Sequence, residues 1–330
     1  AKAAETLPPV DAARLAADIA ALPATQRLAT SGAMQVYCAS AAQLPSVLRE
    51  IGRLRELTFR AVGEGTGKAI DLDAFDDYYE HLFIWHSARQ EVVGAYRIGR
   101  SDEIRQRYGR PGLYLTSVFE FHDPFFLLLG PALELGRSFI RAEYQRSYAP
   151  LLLLWKGISE YVGRHPRYAR LIGAASVSNQ YQPLSRTMLV EALRAWRSDP
   201  LLASLVRAKH PFHASQSLRS LFGSEGLPED MDALGSLIED REPDGKGVPV
   251  LLRHYLRLGA RTIGFNIDTS FGHSLDCLIV LDLRRMPPAT LSKYMSDDAL
   301  RSFCRYWGID LPAATQAGGG ESGAGGSAGG

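Results

Sequence analysis

The order of strand-like and helix-like segments is the feature of this sequence that most constrains its fold. Beyond the first residues, short segments of alternating apolar and polar residues follow one another closely, and later ones alternate with longer segments of helical periodicity. Adjacent strands favour hairpins, whereas strands separated by helices favour a sheet covered by helical layers. The pattern predicts an α/β (α+β) fold with a mixed, mostly antiparallel central sheet flanked by helices.

The individual elements can be placed along the chain. Strands are predicted at residues 34–39, 81–86, 91–98, near 115–121, near 133–140, and at 170–176, 263–267 and 277–283. Helices are predicted over about 44–60, 148–162, 183–196 and 248–258. The last two strands are expected to form an antiparallel pair, joined by a turn at 269–275.

Both ends of the chain differ in composition from the middle. Residues 1–33 are rich in Ala and Pro with Leu15, Ile19 and Leu22 at helical spacing, which predicts a linker with one short amphipathic helix. Residues 313–330 are almost all Gly, Ala and Ser and are expected to be disordered, because they bury too little apolar surface to offset the entropy of ordering. The folded domain is predicted at 34–312. The first residue is not Met, which leaves open a longer, bifunctional protein.

Charge and apolar run lengths narrow the functional classes. Lys plus Arg number 37 and Asp plus Glu 36, so the net charge of +1 provides no general attraction for nucleic acid or anionic lipid. The apolar stretches at 124–133 and 149–155 are shorter than the roughly 20 residues of a membrane-spanning helix. The three cysteines have no metal-ligand spacing and cannot all pair, which fits a reducing compartment. We expect a cytoplasmic protein without a metal site, and peripheral contact with the inner membrane face stays open.

Ionisable residues concentrate around the first strands. Arg55 lies near a helix end, Asp73 and Asp76 lie in an acidic loop, and His81 and Arg97 lie at strand ends. Taken singly, such residues are typical of helix ends, capped loops and surface ion pairs. Taken together, they predict a site in which the aspartates hold a cationic substrate group or orient the arginines.

A second group of charges lies inside an apolar strand. Glu134 and Arg137 are three positions apart, so on a regular strand they face opposite sides, unless a bulge intervenes. A buried charge costs free energy unless it is paired. One interpretation is therefore a buried ion pair such as Glu134 with Arg97, and the other is that these residues line a cleft.

The ordered set of these residues resembles a known family. The set comprises Arg55 with Phe59, then Asp71, Asp73 and Asp76, then residues 93–97, and then Glu134 with Arg137. It is similar to the ornithine-lipid and N-acyl amino acid synthases, often called hemolysin-like, of the GNAT superfamily, which are related to the acyl-homoserine-lactone synthases. The similarity extends over about residues 34–307 and includes 151–158, 173–178 and 264–268. It implies a GNAT fold, an acyl carrier protein thioester as the donor, an amino acid amine as the acceptor, and no other cofactor.

The loop after the Glu134 strand bears on the donor. Residues 141–150 contain no glycine, whereas coenzyme A enzymes of this superfamily have a glycine-rich loop whose N–H groups approach the pyrophosphate. A carrier protein with a single phosphate is therefore favoured, although the same basic residues could simply be solvated at a surface. Suitable contacts are Arg137, Arg141, Arg146 and Lys156. The apolar run 125–129 could wall an acyl tunnel, contact a bilayer or pack in the core.

Acyl transfer to an amine needs a base and groups that position both substrates. We nominate Glu134 as the base, directly or through a water. The substrate-binding candidates are Arg55, Asp73, Asp76, His81, Arg97 and Arg137. The predicted reaction moves a (3-hydroxy)fatty acyl group from acyl carrier protein to the α-amine of an amino acid such as ornithine or glycine, in aminolipid biosynthesis. Two alternatives stay open, an acyl-homoserine-lactone-type synthase and a non-catalytic acyl- or carrier-binding module.

Overall fold

One eight-stranded sheet organises the protein, whose computed structural model describes residues 3–222 and 226–311. The strands are β1 (Arg27–Ser31), β2 (Met34–Ser40), β3 (Glu80–His86), β4 (Glu91–Arg100), β5 (Phe119–Phe121), β6 (Ala132–Ile140), β7 (Arg170–Val177), β8 (Val206–Ala208), β9 (Arg261–Asp268) and β10 (Ser274–Asp282). The order in the sheet is β1-β2-β3-β4-β6-β7-β10-β9, and β5 pairs with β8 separately. All neighbours in the large sheet are antiparallel except β6 with β7. The predicted mixed, mostly antiparallel sheet is confirmed.

Helices cover both faces of this sheet. They are α1 (Ala12–Ala21), α2 (Val47–Ala61), α3 (Ser101–Tyr108), α4 (Phe125–Leu129), α5 (Ala149–Arg164), α6 (Pro183–Trp196), α7 (Pro200–Ala203), α8 (Gln216–Arg219), α9 (Met231–Glu239), α10 (Val250–Arg257), α11 (Pro288–Leu291) and α12 (Asp297–Trp307). The four helices predicted from periodicity correspond to α2, α5, α6 and α10, and the short amphipathic one to α1. In the ranges described, no helix has the length and apolar character needed to cross a membrane.

Two parts of the sheet differ from the sequence prediction. The sheet begins at Arg27 rather than at Met34, because Gly32 adopts a φ of 58° and turns β1 back onto β2. The predicted strand near 115–121 is not part of the large sheet: residues 114–117 form a 3-10 turn and β5 pairs with β8. The tail predicted at 313–330 lies outside the described residues.

Side chains alternate between two faces of the sheet. On the face covered by α5, α6, α10 and α12, which we call the α5 face, Leu135, Leu171 and Ile279 belong to the largest apolar core. On the opposite face, which we call the α2 face, α1 and α2 pack against β2, β3 and β4, with Phe83 and Ala95 buried. Polar side chains on the inner strands of this second face therefore stand out against an otherwise apolar pattern.

Strands β6 and β7 are paired over only three residues each. Ala132, Leu133 and Glu134 pair with residues 170–172, and no further pairing follows toward the ends of these strands. A bulge opposite Ala95–Arg97 and a positive φ of 49° at Arg137 turn β6 away. The sheet therefore opens into a wedge between β6 and β7.

Helix α5 lies close to its neighbours because of two glycines. A Cβ on Gly157 would lie 2.6 Å from Cγ1 of Val36 in the sheet. A Cβ on Gly163 would collide with Cβ of Ala299 in α12 and lie 2.7 Å from its Cα. Because α5 approaches both the sheet and α12 closely, the apolar core on this face of the sheet is tightly packed.

We expect Gly163→Ala to lower the free energy of unfolding by about 1 to 3 kcal/mol, because the added methyl overpacks the contact with Ala299. Gly235→Ala in α9 is the matched control: its Cβ would meet nothing within 4 Å, so helix propensity should raise stability by up to about 1 kcal/mol. Denaturant unfolding of both variants checks this. Equal effects of the two substitutions would contradict the role of the α5–α12 contact.

Candidate active site

A cavity of about 490 Å³ occupies the wedge between β6 and β7. Its apolar part lies on the α5 face and is lined by Leu135, Leu154, Leu171, Leu251, Ile279 and Leu281. Its polar part is lined by Glu64, Arg137, Ser176, Asp268 and Asp276. By the alternation along β7 and β10, Ser176 and Asp276 point to the α2 face. The cavity therefore passes through the sheet and has an apolar part and a charged part on opposite faces.

Three strands supply the polar floor in register. Asp276 on β10 is the cross-strand neighbour of Ser176 on β7 and of Asn266 on β9. The amide of Asn266 donates from Nδ2 to Oδ2 of Asp276 at 3.4 Å. From the segment after α2, Glu64 accepts through Oε2 from the Ser176 hydroxyl at 2.8 Å. Asp268, two residues beyond Asn266, accepts from the Tyr114 hydroxyl at 3.5 Å.

Burial makes two of these carboxyl groups unusually basic. It raises the pKa of Glu64 to about 7, with the charge of Asp268 adding to the shift and the Ser176 hydrogen bond opposing it. Burial raises the pKa of Asp276 to about 8, and the charges of Asp268 and Glu64 raise it further. Groups that titrate near neutrality in a cavity are suited to accepting or giving protons.

Arg137 is the cation that lines the same part of the cavity. Its guanidinium lies over the rings of Phe271 and Tyr114, at 4.7 and 5.2 Å from their centroids. Its Nε is 3.4 Å from Oδ2 of Asp71 but has no hydrogen-bond partner within the described ranges. A guanidinium that lies over aromatic rings and lines the cavity is well placed to bind a substrate carboxylate.

The other predicted substrate-binding residues form a buried ion network beside the cavity. Asp76 accepts from Nη1 of Arg55 at 2.8 Å and lies 3.3 Å from Nη1 of Arg97. Arg97 also donates to Asp73 at 2.6 Å. The pKa of Asp76 is lowered, because the two arginines outweigh the effect of burial. Burial lowers the pKa of His81 to about 4, so its neutral ring donates from Nε2 to the Asp76 carbonyl oxygen.

Glu134 lies behind the cavity wall rather than in it. The residue is 2% exposed, and its Oε2 accepts from the backbone N–H of Leu115 at 3.5 Å. Burial raises its pKa to about 7, opposed by the charge of Arg97 and by the Tyr79 hydroxyl. The ion pair between Glu134 and Arg97 is not formed, since Arg97 binds Asp73 and Asp76 instead. The role of Glu134 as base stays a prediction.

Of the four residues nominated for the donor, Arg137 and Arg146 line the cavity, whereas Arg141 and Lys156 do not. Arg141 is 3.0 Å from both Glu91 and Glu143 and is engaged at the surface. Arg146 is exposed and lines the cavity next to the start of α5, whereas Lys156 is exposed further along that helix and does not line it. Of the run 125–129, Phe125, Phe126 and Leu129 are core residues, and none of the run lines the cavity.

Sequence reasoning missed Glu64, Asp268 and Asp276. The available signal was the polar residues at alternate positions of two otherwise apolar strands, Asn266 with Asp268 on β9 and Asp276 on β10. Glu64 gave no such signal because it lies in an irregular segment. Among the residues described, no group of three or more His, Cys, Asp or Glu is arranged to hold a metal ion.

Comparisons with known proteins identify the family. Residues 54–156 match the model of the acetyltransferase (GNAT) domain. The chain is 30% identical to a glycine N(alpha)-acyltransferase of Phocaeicola vulgatus over 72% of this chain and 76% of that protein. It is 29% identical to one of Bacteroides thetaiotaomicron over 87% and 90% of the two chains, and 28% identical to an L-ornithine N(alpha)-acyltransferase of Brucella abortus over 81% and 87%.

Among solved structures, a CoA-dependent acyl-homoserine lactone synthase, BjaI, aligns with 12% identity and a TM-score of 0.40, over 82% of this chain and 98% of that one. The sequence relatives carry the assignment, since they span most of both chains and include the region of the GNAT match. The chain is therefore an acyltransferase of the GNAT superfamily and belongs to the family that contains the glycine and L-ornithine N(alpha)-acyltransferases.

Proposed function

We propose that this enzyme transfers a fatty acyl group from an acyl carrier protein thioester to the α-amine of an amino acid such as glycine or ornithine, in the synthesis of an aminolipid. The observation that carries the proposal is the single cavity with an apolar part on one face of the sheet and a charged part on the other. An acyl chain and an amino acid can then approach one another at the opening between β6 and β7.

The charged part of the cavity suits a zwitterionic amino acid. Arg137 offers a guanidinium for the α-carboxylate, and Glu64, Asp268 and Asp276 offer carboxylates for the ammonium. Both signs of charge are needed, since an amine without a carboxylate would leave Arg137 unused. The names of the relatives, which include glycine and ornithine enzymes, are consistent with this class of acceptor.

The donor is inferred from the start of α5. Arg146 and Tyr148 line the cavity there, and Nη2 of Arg253 donates to the Tyr148 hydroxyl at 2.6 Å. Arg146 forms no ion pair within the described ranges, so its charge is available to a phosphate. A pantetheine arm that carries a single phosphate fits this loop, which has no glycine to admit a pyrophosphate.

Three hydroxyl groups interrupt the apolar part of the cavity. The hydroxyls of Tyr96 and Tyr255 are 2.8 Å apart, and Ser138 lines the cavity beside them. The two tyrosine hydroxyls carry two protons and share one hydrogen bond, so one donor is left for a further acceptor. A hydroxyl on the acyl chain would supply that acceptor, which supports a 3-hydroxyacyl donor.

The purified protein is expected to release carrier thiol only when both an acyl carrier thioester and an amino acid are present. Thiol release followed with glycine, ornithine and other amino acids, with mass spectrometry of the product, tests the reaction and identifies the acceptor. S-adenosylmethionine as an acceptor tests the lactone-synthase alternative. Saturable acyl binding without thiol release with any acceptor would instead indicate a non-catalytic binding module.

We expect Arg146→Glu to raise KM for the acyl carrier about tenfold, because the substitution places a like charge beside the phosphate and the acidic carrier surface. KM for the amino acid should change little. Arg14→Glu, an exposed arginine on α1, is the control for a change of net charge. Steady-state kinetics measures both constants, and similar effects of the two variants would argue against a carrier contact at Arg146.

We expect Tyr255→Phe to reduce the preference for a 3-hydroxyacyl over an unsubstituted acyl donor by about 3- to 10-fold, the effect of losing one hydrogen bond. Competition between the two donors measures the preference directly. Tyr37→Phe is the matched control, since that hydroxyl is bonded to Gln35, away from the cavity. An unchanged preference in Tyr255→Phe would remove this pair from donor selection.

A further inference from the structure

The carboxylates at the cavity floor differ in how rigidly they are held. Asp276 lies on β10, which is paired along its length with β7 on one side and β9 on the other. Glu64, by contrast, lies in the irregular segment after α2 and reaches the floor through its bond to Ser176. A catalytic group gains from a rigid position, because reacting atoms must be held to within a fraction of an ångström.

Of the three carboxylates at the cavity floor, Asp276 has the weakest hydrogen bonding to offset its burial. The residue is 6% exposed and lines the cavity, and its hydrogen-bond partner among the described side chains is the Asn266 amide, at 3.4 Å. The charged and titratable groups that face it are Asp268 from β9, Glu64 from the segment after α2, Arg137 from β6 and Tyr114. Three carboxyl groups thus meet one arginine at the cavity, and that arginine also lies 3.4 Å from a fourth carboxylate, Asp71.

An arrangement with more carboxyl groups than cations favours a bound ammonium. Its partner carboxylate has a place beside Arg137, so each charge of a bound zwitterion would meet a group of opposite sign. The cavity itself provides the space, and its apolar part meets this floor where β6 and β7 separate.

We propose, on the basis of the function proposed above, that Asp276 is the general base that deprotonates the acceptor amine, with Glu64 and Asp268 holding the ammonium beside it. A proton passes from the ammonium nitrogen to the Asp276 carboxylate. The freed electron pair forms the C–N bond at the thioester carbonyl carbon. The C–S bond then breaks, the thiolate leaves with the second proton lost by nitrogen, and Asp276 returns its proton to solvent.

This assignment differs from the one suggested by the order of sequence motifs. Glu134 is as basic as Glu64, but its carboxyl group is not part of the cavity lining and points toward the Leu115 backbone N–H and Tyr79. A proton would have to cross the wall formed by Tyr114 and Leu115 to reach it. Asp276 lines the cavity itself, so no side chain separates it from a bound amine.

The test measures the pH dependence of kcat/KM for the amino acid in three variants, Asp276→Asn, Glu134→Gln and Glu64→Gln. Asp240→Asn, at an exposed position, is the control. In the wild type the rate should rise with pH as Asp276 ionises, because only the carboxylate accepts a proton. Asp276→Asn should lose about 10²-fold at pH 7 and show a rise only where the free amine deprotonates. Glu64→Gln should mainly raise KM for the amino acid, and Glu134→Gln should keep the pH profile.

Thermal unfolding of each variant separates a catalytic defect from misfolding, and acyl-carrier binding measured with the unreacted thioester gives a second readout. A folded Asp276→Asn enzyme that keeps the wild-type pH profile overturns the assignment and leaves the proposed reaction intact. If Glu134→Gln is the one variant that loses the rise of kcat/KM with pH, the assignment of Asp276 is also overturned and Glu134 is the base. A wild-type protein that transfers no acyl group to any amino acid would overturn the proposed function itself.

Discussion

One carboxylate, Asp76, lies between two arginines that have almost no access to solvent and pairs with both, while Asp73 pairs with one of them, Arg97. Arg55 on α2 is 0% exposed and Arg97 on β4 is 1% exposed, and a buried guanidinium without a partner would cost several kcal/mol. Asp76 also accepts from the backbone N–H of Asp73, which fixes the loop between α2 and β3. The loop, the helix and the sheet are thereby held in one arrangement. Asp71, in the same loop, lies 3.4 Å from Nε of Arg137, so the loop also supplies a charge partner for that arginine.

The cavity beside this ion network exists because β6 and β7 separate. Had the two strands stayed paired, the α5 face and the α2 face would be separated by a continuous sheet, and an acyl chain could not meet an amine on the other side. The bulge in β6 and the positive φ of Arg137 end the pairing and also turn that guanidinium toward Tyr114 and Phe271. The same local distortion thus opens the cavity and places a cation, Arg137, at its charged part.

Local pattern predicted most of the elements, but not the pairing between distant ones. Alternation identified β3, β4, β6 and β7, and periodicity identified α6 with its observed ends, because these segments have one buried face. Strand β1 was missed since its side chains are at most half-buried, so it lacks alternation. Asp276 was missed for another reason: its significance depends on its register with Ser176 and Asn266, which hydrophobic patterning does not encode.

In the proposed reaction the donor contacts lie in one part of the chain, whereas the acceptor site also uses strands beyond that part. The region that matches the GNAT domain model, residues 54–156, includes β3, β4 and β6 with the start of α5, where the donor is proposed to bind. Ser176, Asp268 and Asp276 lie beyond it, on β7, β9 and β10. If these strands bind the acceptor, its identity can change by substitutions on the hairpin of β9 and β10 while the donor half stays the same.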